Sequence, residues 1–179
     1  MTLTVNFFAG PGAGKSTTAT GVFSNLKLAG KNAELVTEFA KDCTWEGNKA
    51  ALTCQPYVTG TQIWRVQRAF QGGAQIVVTD SPVLLGTAYV ATLDPLALVC
   101  LQEHARYPSI NFLVIRTERY QTVGRHHTEA EAIALDTKIE RILDDYEVPF
   151  IPITGDAFGI TQATLAVLDH LRDTHRESA

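Results

Sequence analysis

The sequence predicts a three-layer α/β sandwich built on a five-stranded parallel sheet. Short, almost wholly apolar runs recur along the chain, and longer stretches of helical periodicity separate them. Strands covered on both faces lose the apolar–polar alternation of a half-exposed strand, and parallel neighbours need a crossover long enough to hold a helix. The first connection is short and glycine-rich and opens directly into a helix, a layout that gathers backbone N–H groups around an anion.

Each element has its own signal. Residues 3–9, LTVNFFA, read as the first buried strand, and 16–29, STTATGVFSNLKLA, as a helix stopped by Gly30. AELVT at 33–37 is the second strand, QIVVTD at 75–80 the third, INFLVIRT at 110–117 the fourth and PFIPI at 149–153 the fifth. Between them, residues 56–70 read as a helix ending before Gly72 and Gly73, and 83–92 as another. Residues 95–106 form a third, with Asp94 as N-cap and Pro95 in the first turn. Thr128 and Glu131, spaced as a capping box, announce a helix over 129–147. No repeat, low-complexity tract or linker divides the chain, so residues 1–179 are expected to form one domain.

Composition narrows the function classes. With 179 residues, 45% hydrophobic and 19% charged, the chain can bury one sizeable core. A net charge of -4 argues against a surface that is basic throughout, as a general nucleic-acid cradle would be, but leaves room for a local basic patch. Cys43, Cys54 and Cys100 are far apart and form no CxxC pair, so neither a disulfide framework nor a zinc site is expected. The N-terminus has no basic n-region or cleavage site, and no apolar run approaches the ~20 residues that cross a bilayer. A cytoplasmic protein without membrane partners is the expectation.

The loop carries the first chemistry. A strict phosphate-loop pattern, GxxxxGK[ST], would have glycine at position 9, where this chain has Ala9; the looser form matches through Gly14, Lys15 and Ser16. Glycines let backbone N–H groups turn inward on a β-phosphate, the helix N-terminus adds its positive dipole end, Lys15 reaches the β/γ oxygens, and Ser16 can ligate Mg²⁺. Gly10, Pro11, Gly12, Ala13, Gly14, Lys15, Ser16 and Thr17 are thus the expected ATP-binding residues. Asp80, closing the third strand, stands where a metal-holding acid is expected, although it also precedes a helix start and can serve as N-cap. Ser16 and Asp80 are the expected Mg²⁺ ligands.

A kinase-type P-loop NTPase suits this length better than an oligomeric motor, which needs a sensor region, an arginine finger and a lid domain. A small kinase needs an acceptor pocket and a mobile lid. RTERYQTVGRHHTEAEA, 116–132, is the lid candidate and offers Arg116, Arg119 and Arg125. Arginines over a transferring phosphoryl group offset its growing negative charge, and Arg125, beside Gly124 and just before a helix, is the foremost of them. The alternative is a solvated charged loop. Adjacent His126 and His127 rarely converge on one ion.

Glu38 follows the second strand, at the carboxyl edge where open α/β sheets build their sites. It can accept an acceptor hydroxyl's proton or hold its water shell, or be an exposed loop carboxylate. Lys15, Glu38, Asp80 and Arg125 are the expected catalytic residues. On the helix after Pro56, Ile63, Val66 and Phe70 share an apolar face, and Arg65 and Arg68 another, with Gln62 one turn from Arg65. That helix reads either as a hold on the acceptor's phosphate and base edge or as an ordinary amphipathic surface. Trp45, Tyr57 and Trp64 are candidates for stacking on a base, although core packing is the commoner use of such residues.

Together, GPGAGKSTTA, LVTEFAKD, VVTDSPVLLG and GRHHTEAEA make residues 3–156 resemble the small phage-encoded P-loop kinases related to thymidylate kinase. That resemblance implies an acidic residue after strand two, matched by Glu38, and an Asp-Arg pair after strand three. Here Ser81 follows Asp80, so the arginine is missing, and thymidylate itself is in doubt as acceptor. The chain is most similar to the branch acting on 5-hydroxymethyluracil in phage DNA. The resemblance to that branch implies transfer of the ATP γ-phosphate to the base's hydroxymethyl oxygen, in a host cytoplasm, as a step in thymidine hypermodification. DNA carrying the modified thymidine, or a free nucleotide, is then the expected partner. A kinase of a free deoxynucleoside or its monophosphate, and a nucleotide-dependent ATPase or switch binding DNA or protein, are the competing expectations. Related kinases touch the adenine where Gly155 and Asp156 fall, although TGD is also simply a turn.

Overall fold

The computed structural model describes residues 2–91, 94–117 and 128–177. Five strands, β1 (Leu3–Phe8), β2 (Ala33–Val36), β3 (Ile76–Thr79), β4 (Ser109–Ile115) and β5 (Ile151–Thr154), form one parallel sheet in the order β2-β3-β1-β4-β5. The predicted three-layer α/β sandwich is therefore the observed fold.

β1 is buried along its whole length, as its apolar run requires. Leu3, Val5 and Phe7 point to one face, where Val22 and Leu26 of α1 (Lys15–Leu28) meet Ala163, Val167 and Leu171 of α7 (Ala157–Glu177). On the opposite face, Phe8 packs with Leu84 of the 3-10 helix Val83–Tyr89 and with Ile139 and Leu143 of α6 (Glu129–Asp145). Val66 of α4 (Gln55–Gln71) covers Val36 and Val77 there. Asn6 is a polar intrusion into the central strand, and its side chain donates to Asn111 Oδ1 at 2.9 Å, which removes the cost of burying an unpaired amide.

Most element ends agree with the sequence reading to within two residues. Asp94 caps α5 (Pro95–Ala105), and Thr128 with Glu131 forms the expected capping box on α6. Four differences have local causes. The expected helix over 83–92 is a 3-10 helix ending at Tyr89, with Gly86 pressed against Cys100 and Thr59. β5 lies two residues later at its start than PFIPI suggested, in register with β4 from Phe112↔Ile151. Short helices α2 (Phe39–Trp45) and α3 (Lys49–Thr53) occupy a stretch with no clear period, and α7 follows the TGD turn. No helix among the described residues is long and apolar enough to cross a membrane.

The strand order decides where a ligand can sit. From β1 the chain crosses to β2 and returns through β3, whereas the next crossover goes to β4 on the other side of β1. Loops leaving the carboxyl ends of β1 and β3 therefore diverge, opening a crevice between them.

Candidate active site

That crevice is a cleft of about 630 Å³. Its floor is the loop from β1 to α1, contributing Pro11, Gly12, Gly14, Lys15, Ser16 and Thr17. Gly12 and Gly14 take left-handed backbone angles, φ 84° and 98°, which other L-residues adopt only with strain. Gly14 is the N-cap of α1, so the loop's amides and the positive end of the helix open on the same space. Lys15 Nζ folds back to donate to the Gly10 carbonyl at 3.0 Å. Gly10 and Ala13, also expected as nucleotide contacts, are buried and support the loop from behind. The Gly10 N–H donates to Asp136 Oδ1 on α6 at 2.5 Å.

Arg116, the first residue of the lid candidate, ties the same corner together. Its Nη2 donates to the Pro11 carbonyl and to Asp136 Oδ2, both at 2.9 Å, and its Nε donates to Asp136 Oδ2 at 3.1 Å. Asp136 thus joins the loop to α6, and the sequence offered no motif for it. Arg119, Arg125, His126 and His127 lie outside the described residues.

Asp80 follows β3, whose Thr79 is in register with Asn6 of β1, so its backbone runs beside the end of β1, from which the loop departs. It is 3% exposed, and its Oδ1 has no hydrogen-bond partner among the described residues. A carboxylate oxygen buried without a donor carries an uncompensated desolvation cost, which a bound cation or its water shell removes. Ser16 lines the cleft, and Asp80 lies buried directly before Ser81, which lines it too. Among the described residues no group of three or more His, Cys, Asp or Glu is placed to hold a metal by itself. Asp80 and Ser16 therefore fit a magnesium ion that completes its shell with nucleotide phosphates and water, as that ion commonly does.

The other wall comes from the region after β2. Glu38 lines the cleft, and although it is the N-cap residue of α2 its carboxylate makes no cap bond. Tyr89 lines the cleft as well, and desolvation of its phenol, then the Glu38 charge, push the hydroxyl's ionisation well above the ordinary range. It remains a neutral donor at physiological pH. Lys41, Trp45 and Lys49 form the mouth.

The aromatic and arginine candidates separate on inspection. Trp45, Tyr57 and Trp64 are 67%, 53% and 55% exposed, so none is a core residue, and of the three Trp45 lines the cleft. Arg68 stacks on Trp64 at 4.7 Å. Arg65 and Gln62, read either as a hold on the acceptor or as part of an ordinary amphipathic surface, are engaged within the chain. Arg65 donates to the Thr37 carbonyl at 3.2 Å and to Asp42 Oδ2 at 2.6 Å, while buried Gln62 bonds the backbone around Glu38. Asp156 accepts from the Gly159 N–H at 3.0 Å in the first turn of α7. That bond, and then the Thr154 hydroxyl, hold its carboxyl below the usual carboxylate range, the behaviour of a capping residue.

A family described as the AAA domain matches residues 4–158. The chain belongs to the AAA domain family. That membership accounts for the strand, phosphate loop and helix at its start, the nucleotide-binding core of such a domain. No curated protein matches this AAA domain chain significantly in sequence. Among solved structures it is similar to the thymidylate kinase from Ehrlichia chaffeensis, with a TM-score of 0.57 and 13% identity over 96% of this chain and 98% of that one. At that identity the likeness shows the fold, a thymidylate-kinase-like P-loop NTPase.

Proposed function

We propose that this protein is an ATP-dependent kinase that transfers the γ-phosphate to a hydroxyl of a nucleotide, and that the acceptor is the 5-hydroxymethyl group of 5-hydroxymethyluracil within phage DNA. One observation supports the kinase reading: the phosphate loop and Glu38 line one and the same cleft. The loop amides and Lys15 hold and neutralise the β/γ-phosphates. Glu38, on the far wall, accepts the proton of the attacking hydroxyl as its oxygen closes on the γ-phosphorus and the bond to the β-phosphate oxygen breaks. Magnesium on Asp80 and Ser16, when bound, supplies charge neutralisation at the phosphate oxygens.

The acceptor reading rests on the sequence resemblance and on one feature of the wall. A free monophosphate acceptor needs a dedicated arginine, and Arg65, the candidate on α4, is engaged by Thr37 and Asp42. This argues against a free monophosphate held by Arg65 and is compatible with a hydroxyl presented on a longer chain. The thymidylate-kinase-like fold favours a second reading, a free deoxynucleoside or its monophosphate as acceptor.

Labelled ATP offered with DNA containing 5-hydroxymethyluracil, the matching unmodified DNA, thymidine, thymidylate and 5-hydroxymethyl-deoxyuridylate separates these readings. Label on the modified DNA alone is the expected result. Label only on a free nucleoside or nucleotide moves the protein to precursor metabolism, and rapid hydrolysis that ignores every acceptor makes it an ATPase or switch.

A further inference from the structure

We propose that Gln62 and Arg65 are positioning residues that fix Glu38 in the cleft by holding the backbone on either side of it. The inference rests on the reading of Glu38 as the acceptor-side carboxylate and assigns the machinery that places it.

The register of β2 with β3 ends at Val36↔Thr79, so Thr37 and Glu38 lie past the ladder that orders the strand. α2, which follows, has seven residues and no side-chain cap, too little to hold itself in place. α4 supplies the missing partners. Gln62 Oε1 accepts from the Phe39 N–H at 3.1 Å, and Gln62 Nε2 donates to the Thr37 carbonyl at 3.4 Å. In a parallel ladder, a residue facing position i donates to the carbonyl of i−1 and accepts from the N–H of i+1. The carboxamide of Gln62 makes that pair of bonds around Glu38, standing in for one residue of a neighbouring strand.

Arg65, one turn further along α4, reinforces the hold. Its Nη1 is a second donor to the Thr37 carbonyl at 3.2 Å, its Nη2 meets Asp42 Oδ2 at 2.6 Å, and its guanidinium carbon lies 5.0 Å from the centre of the Phe39 ring. Tyr57 closes the edge of that ring at 5.4 Å. These contacts all fall on residues 37, 39 and 42, on both sides of Glu38. Only an amide suits position 62: a carboxylate there would set a charged acceptor against the Thr37 carbonyl, and an apolar side chain would leave the half-buried Phe39 N–H without this partner.

The test compares Gln62→Glu, Arg65→Met, Glu38→Gln and the double variant Arg65→Met/Glu38→Gln in the full chain, with melting temperatures recorded throughout. Two readouts are taken: phosphate transfer, and amide hydrogen exchange across residues 36–42. Each positioning variant is expected to lower kcat about tenfold or more, because small misplacements of a reacting group are costly, with KM for ATP within about twofold of wild type. Faster exchange at Phe39, with the amides in the middle of α4 unchanged, is expected alongside. In the Glu38→Gln background, Arg65→Met is expected to cost less than about twofold more, since it acts through a carboxylate that is already gone. Additive losses, or Phe39 exchange that does not change, overturn the proposal. Wild-type transfer by Glu38→Gln overturns the reading of Glu38 itself, and Phe39 exchange in the same series then decides separately whether the bracket exists.

Discussion

Asp80 and Lys15, assigned to the same phosphates in the proposed function, stand differently toward stability. The Asp80 Oδ1 atom is buried without a partner among the described residues, so the folded chain carries a cost that only a bound group relieves. Asp80→Asn removes the charge at nearly constant shape. The ligand-free variant is expected to melt no more than about 2 °C below wild type, or above it, since about 1 kcal/mol corresponds to 2–4 °C at this size. Its phosphate transfer is expected to fall to background. A large drop in melting temperature in a calorimetric scan would instead make Asp80 a structural residue. Lys15→Ala is expected to lower transfer from labelled ATP by about a hundred- to a thousandfold, the usual cost of losing one aimed charge in such a site. The bond to the Gly10 carbonyl that it sacrifices in the ligand-free fold is worth only about 1 kcal/mol. Retained turnover in Lys15→Ala would refute the phosphate site.

Between elements, the sharpest constraint is the approach of the turn after β5 to the phosphate loop. A Cβ on Gly155 would collide with the Ala13 carbonyl, and both partners are backbone, which cannot swing aside. Gly155→Ala is therefore expected to destabilise the fold by about 1–3 kcal/mol and to weaken ATP binding together with it. Chemical denaturation and nucleotide titration measure the two, and an unchanged ATP affinity would show that the loop tolerates displacement from this side. This contact also marks what the sequence could reveal. β1, β3 and β4 were legible because burial on both faces leaves solid apolar runs, and the phosphate loop because its chemistry demands fixed residue types at fixed spacing. α7 was legible in principle: Ile160, Ala163, Val167 and Leu171 lie on one helical face, and Asp156 caps the first turn, but a TGD triplet reads equally well as a simple turn. α3 left a fainter mark in Asn48, whose side chain caps Ala51. The Gln62 bracket left none. A side-chain amide paired with backbone 23 and 25 residues away depends on tertiary geometry, which no local pattern encodes.

Over the whole molecule, charge is distributed unevenly in a way that bears on the acceptor. The chain carries -4, yet the side chains lining the cleft include Lys15, Lys41 and Lys49 against Glu38. A net negative chain with three lysines in its cleft attracts a polyanion there more than its net charge suggests, which favours docking at the site over general adhesion. At the mouth, Trp45 is two-thirds exposed and flanked in sequence by the two lysines, the pairing of a stacking surface with backbone neutralisation that suits an extended strand. If the acceptor is a base within single-stranded DNA, its affinity falls with salt by roughly 0.7 logarithmic units per tenfold salt for each phosphate neutralised. Lys41→Ala and Lys49→Ala are each expected to lower that slope by about one such step, while KM for ATP stays unchanged because the loop with Lys15 is intact. Fluorescence anisotropy of a labelled oligonucleotide across a salt series measures it. A slope near zero that neither lysine alters would remove the strand from the mouth of the cleft, and with it the physical case for a polymeric acceptor.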